Sequence, residues 1–600
     1  MGIMAVFRRI FGLDLRALAL YRFIIGILVV LDTLMRWTDL VAHYTDYGIL
    51  PVVPYLDQFT NRFHWSLHLA SGLEMWQTLL FGLTLLAGLT LMVGYKTRVS
   101  AIACWILIVS VQNRNPMILN GGDVLFRQLL FWGMLLPWHA RWSIDKALAD
   151  LNGDEYQKDN NWLSFVSFAV VAQVLMVYWT TVALKSGKEW WPEGTASYYA
   201  LALDQFTTRF GVWMGQQLTL LHWGTYFVFF LELIGPFLLL SPVAHVPLRM
   251  LAIVLLIGIH LNFDATMRLG LFPWFDIASL IVFMPGEIFD WLERRLRPRA
   301  DAVTIYYDAD CGFCRKAAYI IREMRLAGFG HVKPSSDDAD ILKLMTEEHS
   351  WVVVTGDGER HLRWNAMVAV LEASPITGWL ARNLPLRKLG FVCDPVYKLI
   401  ARHRTFFGRF TARCLVPTPL ARVRTGLIVN LAAIFLIGYV GLWNLKTVPK
   451  AGIDIASPWI YLGSILRLDQ KWNMFAPFPL REDGWYVIEG QLRDGSPADI
   501  FNNTETPASW EKPELVSAMY KNARWRKYMM NIWQKKKKAH RLYYARYLCR
   551  TFNAERTFNR QVVSFEINYM KEPTPPPGGT PSATKVMIWR HDCFKKSDGK

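Results

Sequence analysis

The chain has 600 residues, 52% of them hydrophobic, and it includes 26 Trp, 35 Phe and 23 Tyr. This length and apolar content exclude a single soluble domain and indicate several units. The net charge of +17 would suit nucleic acid binding, but basic loops of a membrane protein explain it more simply, so we expect no nucleic acid partner.

Apolar segments recur along the chain and approach the ~20 residues needed to cross a bilayer. Nine such segments are predicted to span: Leu18–Met35, Trp76–Gly94, Val99–Val111, Val124–Trp138, Trp162–Leu184, His222–Leu240, Leu248–Phe263, Leu269–Met284 and Val423–Trp443. The third and fourth are short and the seventh and eighth are closely spaced, so one of them could be re-entrant or interfacial. The sequence predicts a polytopic α-helical membrane protein with about nine spans.

Basic residues near the span ends predict its orientation. Arg8, Arg9 and Arg16 precede the first span without a cleavage pattern after it, so we expect a retained first helix and a cytoplasmic N-terminus. Counting spans of the cell (inner) membrane then places the segment after Arg294 on its cytoplasmic side and the chain after Trp443 on its outer side.

The composition becomes mixed at about Arg294 and stays so until the last span. Strands and helices are predicted to alternate there: Ala302–Tyr307, Gly312–Arg325, Asp338–Glu347, Trp351–Thr355 and Ala366–Glu372. This pattern favours a small inserted α/β domain. The predicted domains are 1–293 in the membrane, 294–422 as the α/β insert, 423–443 as the last span and 444–600 as a β-containing domain outside.

A Cys-x-x-Cys pair, Cys311 and Cys314, lies where the first strand of this insert gives way to a helix. The helix N-terminus would stabilise a thiolate, so Cys311 is predicted to attack a disulfide and Cys314 to resolve the mixed disulfide. Half of a zinc site is the alternative, but the domain shows no second ligand pair, so we predict no metal.

The stretch Tyr307-Asp308-Ala-Asp-Cys311-Gly-Phe-Cys314 resembles the signature of the DCC family of thioredoxin-like oxidoreductases. The similarity extends over Ala302–Phe410. It implies that Asp308 belongs to the motif with both cysteines. Asp308 could buffer protons for the thiols or end the strand. Unlike ordinary thioredoxins, the chain has no proline before the strand at Trp351.

Ionisable residues at bilayer depth are candidates for function. Among these, Glu232 and His260 are predicted to contact a cofactor, with helix-packing hydrogen bonds as the alternative. The pattern Tyr178–Gly194 resembles the horizontally transferred transmembrane (HTTM) family, relatives of the vitamin K-dependent γ-carboxylases, over roughly residues 10–290. This resemblance implies that Lys185 is a base and that a quinone-like or lipid-like group is bound.

The tail contains Cys549 and Cys593, which we expect to pair as a structural disulfide on the oxidising side. Its basic stretch Lys521–Arg550 could lie on anionic headgroups or form a solvated helix.

The preferred hypothesis is a membrane thiol–disulfide oxidoreductase that exchanges electrons with a protein or small thiol and could be coupled to a quinone-like membrane substrate. One alternative is a carboxylase-like enzyme, or one that matures peptides or lipids, with Lys185 as base. Another is a non-catalytic membrane assembly factor. Membrane lipid is an expected partner in each case.

Overall fold

The computed structural model describes residues 2–59, 61, 63–151, 159–300, 303–324, 331–374, 377–416, 423 and 425–594, with side chains omitted at 296–300. The first half of the chain is a helical bundle, in which the short strands β1 and β2 pair antiparallel. Its elements are α1 Ile3–Phe11, β1 Leu13–Asp14, α2 Leu15–Trp37, α3 Leu40–Tyr44, α4 Val52–Gln58, α5 Glu74–Val93, α6 Thr97–Arg114, α7 Gly121–Gly133, α8 Ile144–Asp150, β2 Asn161–Trp162, α9 Phe165–Leu184, α10 Ala196–Leu201, α11 Arg209–Gly215, α12 Leu218–Leu240, α13 His245–Thr266, α14 Phe272–Ile281 and α15 Gly286–Ala300.

A small α/β domain follows the bundle. It contains β3 Val303–Tyr307, α16 Gly312–Glu323, β4 His331–Pro334, α17 Ala339–Glu348, β5 Val352–Thr355, β6 Arg360–Leu362, α18 Arg363–Ala373, α19 Gly378–Asn383, α20 Gly390–Arg402 and α21 Arg404–Cys414. The sheet has the order β4–β3–β5–β6, with β3 parallel to β4 and antiparallel to β5. Apolar side chains of β3, β5, α16 and α18 form its core.

The rest of the chain forms a long helix and a tail domain. Its elements are α22 Leu427–Thr447, α23 Ser457–Leu466, β7 Glu482–Leu492, β8 Pro497–Asp499, α24 Ala523–Trp533, α25 His540–Asn553, β9 Val562–Pro573 and β10 Thr584–Asp592. The strands form an antiparallel sheet in the order β10–β9–β7–β8. A β-containing tail is therefore present.

The basic stretch of the tail is folded into this domain. Tyr528 and Met529 of α24 and Tyr544 of α25 are buried against the sheet. Lys535, Lys536 and Lys538 remain exposed, and contact of this basic stretch with headgroups or solvent stays a prediction. Its aromatic residues occupy the core because burying large rings stabilises the fold more than leaving them at a surface.

The described residues contain fewer candidate spans than the nine predicted. Six helices in the described residues are long and apolar enough to cross a membrane, namely α2, α5, α9, α12, α13 and α22, and the pair α14 and α15, bent by 81°, adds a seventh candidate. The segments predicted at α6 and α7 fall short because α6 ends in polar Gln112–Arg114, while α7 has only 13 residues and carries Asp123 and Arg127. The protein is a helical membrane protein, but the count of nine is not confirmed.

The α/β domain and the tail domain pack at opposite ends of the bundle. Glu323 of the α/β domain accepts a hydrogen bond of 2.8 Å from the backbone N–H of Trp142. The carbonyl of Trp142 in turn accepts one of 2.6 Å from Arg22, near the start of α2. Beyond the other end of α2, Asp39 forms an ion pair of 2.6 Å with Lys521 of the tail.

Candidate functional site

The dithiol lies at the N-terminus of α16. Cys311 is the N-cap residue, its Sγ accepts a hydrogen bond of 3.3 Å from the backbone N–H of Cys314, and the two cysteines form a disulfide with Cα atoms 5.3 Å apart. Both residues are half-buried, so a partner can reach them. In the reduced form, the positive end of the helix dipole and this N–H would stabilise a thiolate at Cys311.

Helix α21 lies beside the dithiol turn and makes three contacts with it. Arg404 forms an ion pair of 2.9 Å with Asp308, and Lys316 Nζ donates a hydrogen bond of 2.9 Å to the carbonyl of Thr411. The rings of Phe313 and Phe407 have centroids 5.7 Å apart. Helix α21 begins 90 residues after Cys314, so the local pattern around the motif does not predict that this helix covers it.

The strand that follows α17 begins without a proline, as the sequence shows. His349 ends α17 with a left-handed backbone (φ 48°), and Ser350 Oγ accepts a hydrogen bond of 2.8 Å from the N–H of Arg363. In the described ranges, the cis peptide bonds are Trp191–Pro192 and Ala476–Pro477, and both lie outside the α/β domain. The dithiol site thus lacks a cis-proline wall in the part of the chain that the structure describes.

A second cluster of buried polar side chains lies among α9, α12, α13 and α14. Lys185, just after α9, forms an ion pair with Glu232 of α12, and its Nζ lies 4.0 Å from the centroid of the Trp190 ring. All three are at least 93% buried. Outside water, a charged ammonium is tolerated only with such a partner.

His260 lies in the same region but pairs with other residues. Its Nε2 is 3.1 Å from the hydroxyl of Tyr178, and its Nδ1 is 3.9 Å from Oδ2 of Asp276. Tyr178 and Asp276 were not predicted as site residues, because each lies inside an apolar segment and meets His260 only through helix packing. The structure therefore brings Lys185 together with Glu232 and places His260 in a neighbouring polar set. We name all five residues together the lysine cluster: Tyr178, Lys185, Glu232, His260 and Asp276.

A loop of the tail domain closes over the segment that follows Lys185. The N–H of Gly187 donates a hydrogen bond of 2.9 Å to the carbonyl of Pro477, and Trp190 Nε1 donates one of 3.0 Å to the carbonyl of Phe475. These contacts place the lysine cluster next to the tail domain.

The dithiol and the lysine cluster are therefore far apart. Arg141, beside Trp142 at the dithiol end of the bundle, donates a hydrogen bond of 2.8 Å to Asn160, shortly before α9. Lys185 follows the other end of this 20-residue helix, which at 1.5 Å per residue is about 30 Å long. A group bound at the lysine cluster cannot touch the dithiol.

The tail cysteines also form a disulfide. Cys549 of α25 and Cys593, just beyond β10, are joined with Cα atoms 5.7 Å apart. The bond fastens a helix to the edge strand of the tail sheet.

Comparison with protein families assigns the two halves of this arrangement. Residues 12–291 match the model of the HTTM domain, and residues 305–410 match that of the DCC1-like thiol-disulfide oxidoreductases. The chain is a fusion of an HTTM domain with a DCC1-like domain. Neither the curated proteins nor the solved structures gave a match.

Both resemblances seen in the sequence are thereby confirmed, with closely similar bounds. The dithiol belongs to the DCC1-like domain, which supports a role in thiol–disulfide exchange. The lysine cluster belongs to the HTTM domain. Among the described residues, no group of three or more His, Cys, Asp or Glu side chains is arranged to hold a metal ion.

Proposed function

We propose that the protein is a membrane-anchored thiol–disulfide oxidoreductase in which Cys311 is the nucleophile and Cys314 the resolving thiol. The observation that carries the proposal is the Cys311–Cys314 disulfide at the start of α16, with the Cys314 N–H directed at Cys311 Sγ. A hydrogen bond donor and a helix dipole at one sulfur favour its thiolate over that of its neighbour.

The exchange follows from these positions. The thiolate of Cys311 attacks a disulfide of a protein or small-molecule partner, forming a mixed disulfide and releasing the first partner thiolate. Cys314 loses its proton and attacks Cys311 Sγ, which re-forms the internal disulfide and releases the second partner thiolate. Two electrons thus pass from the dithiol to the partner, and the reverse sequence oxidises a partner dithiol.

The orientation is a further part of the proposal. Basic residues gather at the end of the bundle where the DCC1-like domain packs, among them Lys96, Arg98, Arg141 and Lys146. The positive-inside rule then places this domain in the cytoplasm and the tail, with its Cys549–Cys593 disulfide, on the oxidising side of the inner membrane.

Coupling to a quinone would need a carrier that moves between the two sites. Because about 30 Å of helix separates Lys185 from the dithiol end, electrons cannot pass by contact between the dithiol and a group held at the lysine cluster. We propose that a quinone-like lipid, if it is the electron acceptor, diffuses in the bilayer.

A second candidate function rests on the buried pair Lys185–Glu232. In this buried site, moving the ammonium proton to the Glu232 carboxylate gives a neutral amine and a neutral acid, which removes two buried charges. The neutral Lys185 could then act as a base on a peptide or lipid, as the HTTM resemblance implies.

Single variants separate the two functions. We expect Cys311→Ser to abolish reduction of a disulfide substrate and Cys314→Ser to accumulate the mixed disulfide, visible by mass spectrometry of the full-length protein. Lys185→Met should leave this exchange unchanged. If both cysteine variants keep full activity, the oxidoreductase proposal fails; if only Lys185→Met loses a lipid-dependent or peptide-dependent activity, the second function gains support.

A further inference from the structure

Helices α20 and α21 of the DCC1-like domain expose large apolar side chains. Helix α20 contains no buried residue and α21 contains one, Thr411. Phe391 is 78% exposed and Phe406 is 63% exposed. The other large exposed side chains of the two helices include Val396, Leu399 and Phe410.

These apolar groups follow the helical repeat. On α20, Val392, Val396 and Leu399 are spaced by four and three residues, and on α21, Phe406 and Phe410 are spaced by four. Such spacing puts the members of each set on one side of their helix. A soluble domain does not usually leave stripes of this kind uncovered.

The same region is strongly basic. Residues 378–416 contain eight Arg or Lys and one acid, Asp394. Asp394 accepts a hydrogen bond of 3.1 Å from the N–H of Trp364 in α18, so it is engaged within the domain. The exposed charge of α20 and α21 is therefore positive, and it complements an anionic surface.

The connections of α21 put it at the end of the bundle. The hydroxyl of Tyr95, which lies between α5 and α6, donates a hydrogen bond of 2.5 Å to the carbonyl of Cys414, the last residue of α21. Phe410 lies one turn earlier, about 6 Å along the helix axis. Leu427 begins the candidate span α22 only 13 residues after Cys414.

We propose that α20 and α21 lie in the membrane interface and bind anionic phospholipid headgroups. Their apolar side chains would enter the boundary between headgroups and acyl chains, while arginines such as Arg409 and Arg413 contact phosphates. Apolar stripes combined with basic residues are the features by which interfacial helices bind. A surface that is joined to the end of the candidate span α5 and continues into the candidate span α22 meets lipid before any soluble partner.

This contact holds the dithiol against the bilayer. Helix α21 touches the dithiol turn through Arg404 and Phe407, so fixing α21 on the membrane also fixes the site. The dithiol would then serve partners that reach the membrane surface. The inference concerns binding alone and stands whether or not the proposed exchange reaction is correct.

Photo-crosslinking of the full-length protein tests the contact. A p-benzoyl-phenylalanine replaces Phe391 or Phe406, and the protein is placed in nanodiscs of phosphatidylcholine with or without phosphatidylglycerol. We expect phosphatidylglycerol adducts at both positions. The matched control is Leu342, which is 45% exposed and lies on α17, a helix with three acids and one lysine, and it should give none.

Charge reversal supplies the second measurement. The double change Arg409→Glu and Arg413→Glu should lower the phosphatidylglycerol adduct at Phe406 by about fivefold for each arginine, whereas Lys343→Glu on α17 should leave it unchanged. If the double variant does not fold, the adducts at Phe391 and Phe406 in the otherwise native chain decide the matter. The proposal would be overturned if Phe391 and Phe406 gave no lipid adducts, or if Leu342 gave as many as they do. Crosslinks from Phe391 and Phe406 to protein but not to lipid would also overturn it and would indicate a protein partner.

Discussion

Arg404 donates a hydrogen bond of 2.9 Å to Oδ2 of Asp308, while the other oxygen of the same carboxylate accepts one of 3.0 Å from the N–H of Asp310. Asp308 thus has two uses, to shape the turn that ends β3 and to attach α21 to it. Both uses position the dithiol without proton transfer.

These contacts predict different results for two substitutions of Asp308. Asp308→Asn keeps an oxygen for the Asp310 N–H and loses only a partly exposed ion pair, so its exchange rate should stay within about twofold and its stability within about 1 kcal/mol. Asp308→Ala loses the turn as well and should slow exchange further. The pH profile of exchange distinguishes the alternatives. If Asp308 buffers protons, Asp308→Asn should change the profile and Arg404→Gln should shift it, because the carboxylate loses its cation; if Asp308 only positions the turn, both variants should keep the wild-type profile.

The ion pair between Lys185 and Glu232 predicts a non-additive response to mutation. Lys185→Met alone leaves a buried carboxylate, and Glu232→Leu alone leaves a buried ammonium, so each should destabilise the protein by about 3–5 kcal/mol. The double variant should recover most of this loss, because two apolar side chains then replace two charges.

Thermal unfolding in detergent of the wild type, both single variants and the double variant measures this coupling. Lys188→Met, at an exposed ion pair nearby, is the control and should change little. Additive losses would show that the two charges do not stabilise each other. If the lysine cluster is a base site, the double variant should be stable yet inactive.

Local sequence patterns predicted the α/β domain well, and the lysine cluster only in part. The strand before Cys311 is predicted by alternating apolar residues and the helix after it by helical periodicity, within about 20 residues of sequence. Both elements lie where expected. By contrast, Tyr178 and His260 are 82 residues apart and meet through the packing of α9 on α13. An apolar segment gives no sign of which of its polar members will face one another, because every side of the helix reads as hydrophobic.

The contact between Arg524 and the HTTM domain could not be predicted from the sequence either. Arg524 of α24 forms ion pairs of 2.5 Å with Asp32 and 3.2 Å with Asp123, which also bind Arg36. These partners come from three parts of the chain separated by 87 and 401 residues. Only the complete fold reveals that the basic stretch of the tail supplies a buried counter-charge.

Arg524 should therefore anchor the tail domain on the bundle. Arg524→Met leaves two buried carboxylates to share Arg36, so we expect a loss of about 3–5 kcal/mol and faster proteolysis between α23 and β7. Lys536→Met, an exposed change in the same basic stretch, should have no effect. Limited proteolysis of the full-length protein in nanodiscs measures the difference, and equal cleavage of the two variants would contradict the anchoring role.

The junction between the tail and the HTTM domain should also depend on pH, through Asp483. Burial, together with the nearby Asp204 carboxylate, raises the pKa of Asp483 to about 7. Asp204 belongs to the loop between α10 and α11 and forms an ion pair of 2.6 Å with Lys512, while its N–H donates a hydrogen bond to Asp483. A buried carboxyl between the two domains thus carries a proton near neutral pH.

Whether stability rises or falls with pH follows from comparing the pKa of Asp483 in the folded and unfolded chains. An unfolded aspartate loses its proton at about pH 3.9, whereas folded Asp483 keeps it up to about pH 7. The stabilisation from this proton is complete below about pH 4 and is lost as the pH rises through about 7, with a slope of up to about 1.4 kcal/mol per pH unit.

Asp483→Asn keeps an oxygen for the Asp204 N–H and cannot ionise, so its gain in stability over the wild type should be largest at pH 8, smaller at pH 5 and absent at about pH 4. Thermal unfolding of the full-length protein between these values measures the effect, with Glu511→Gln at an exposed site as the control for removing a negative charge. The role of Asp483 would be refuted by a variant that loses stability with pH as steeply as the wild type does. If Glu511→Gln gave the same gain in stability at pH 8, the cause would be the change in net charge, because Glu511 is exposed and Asp483 is buried.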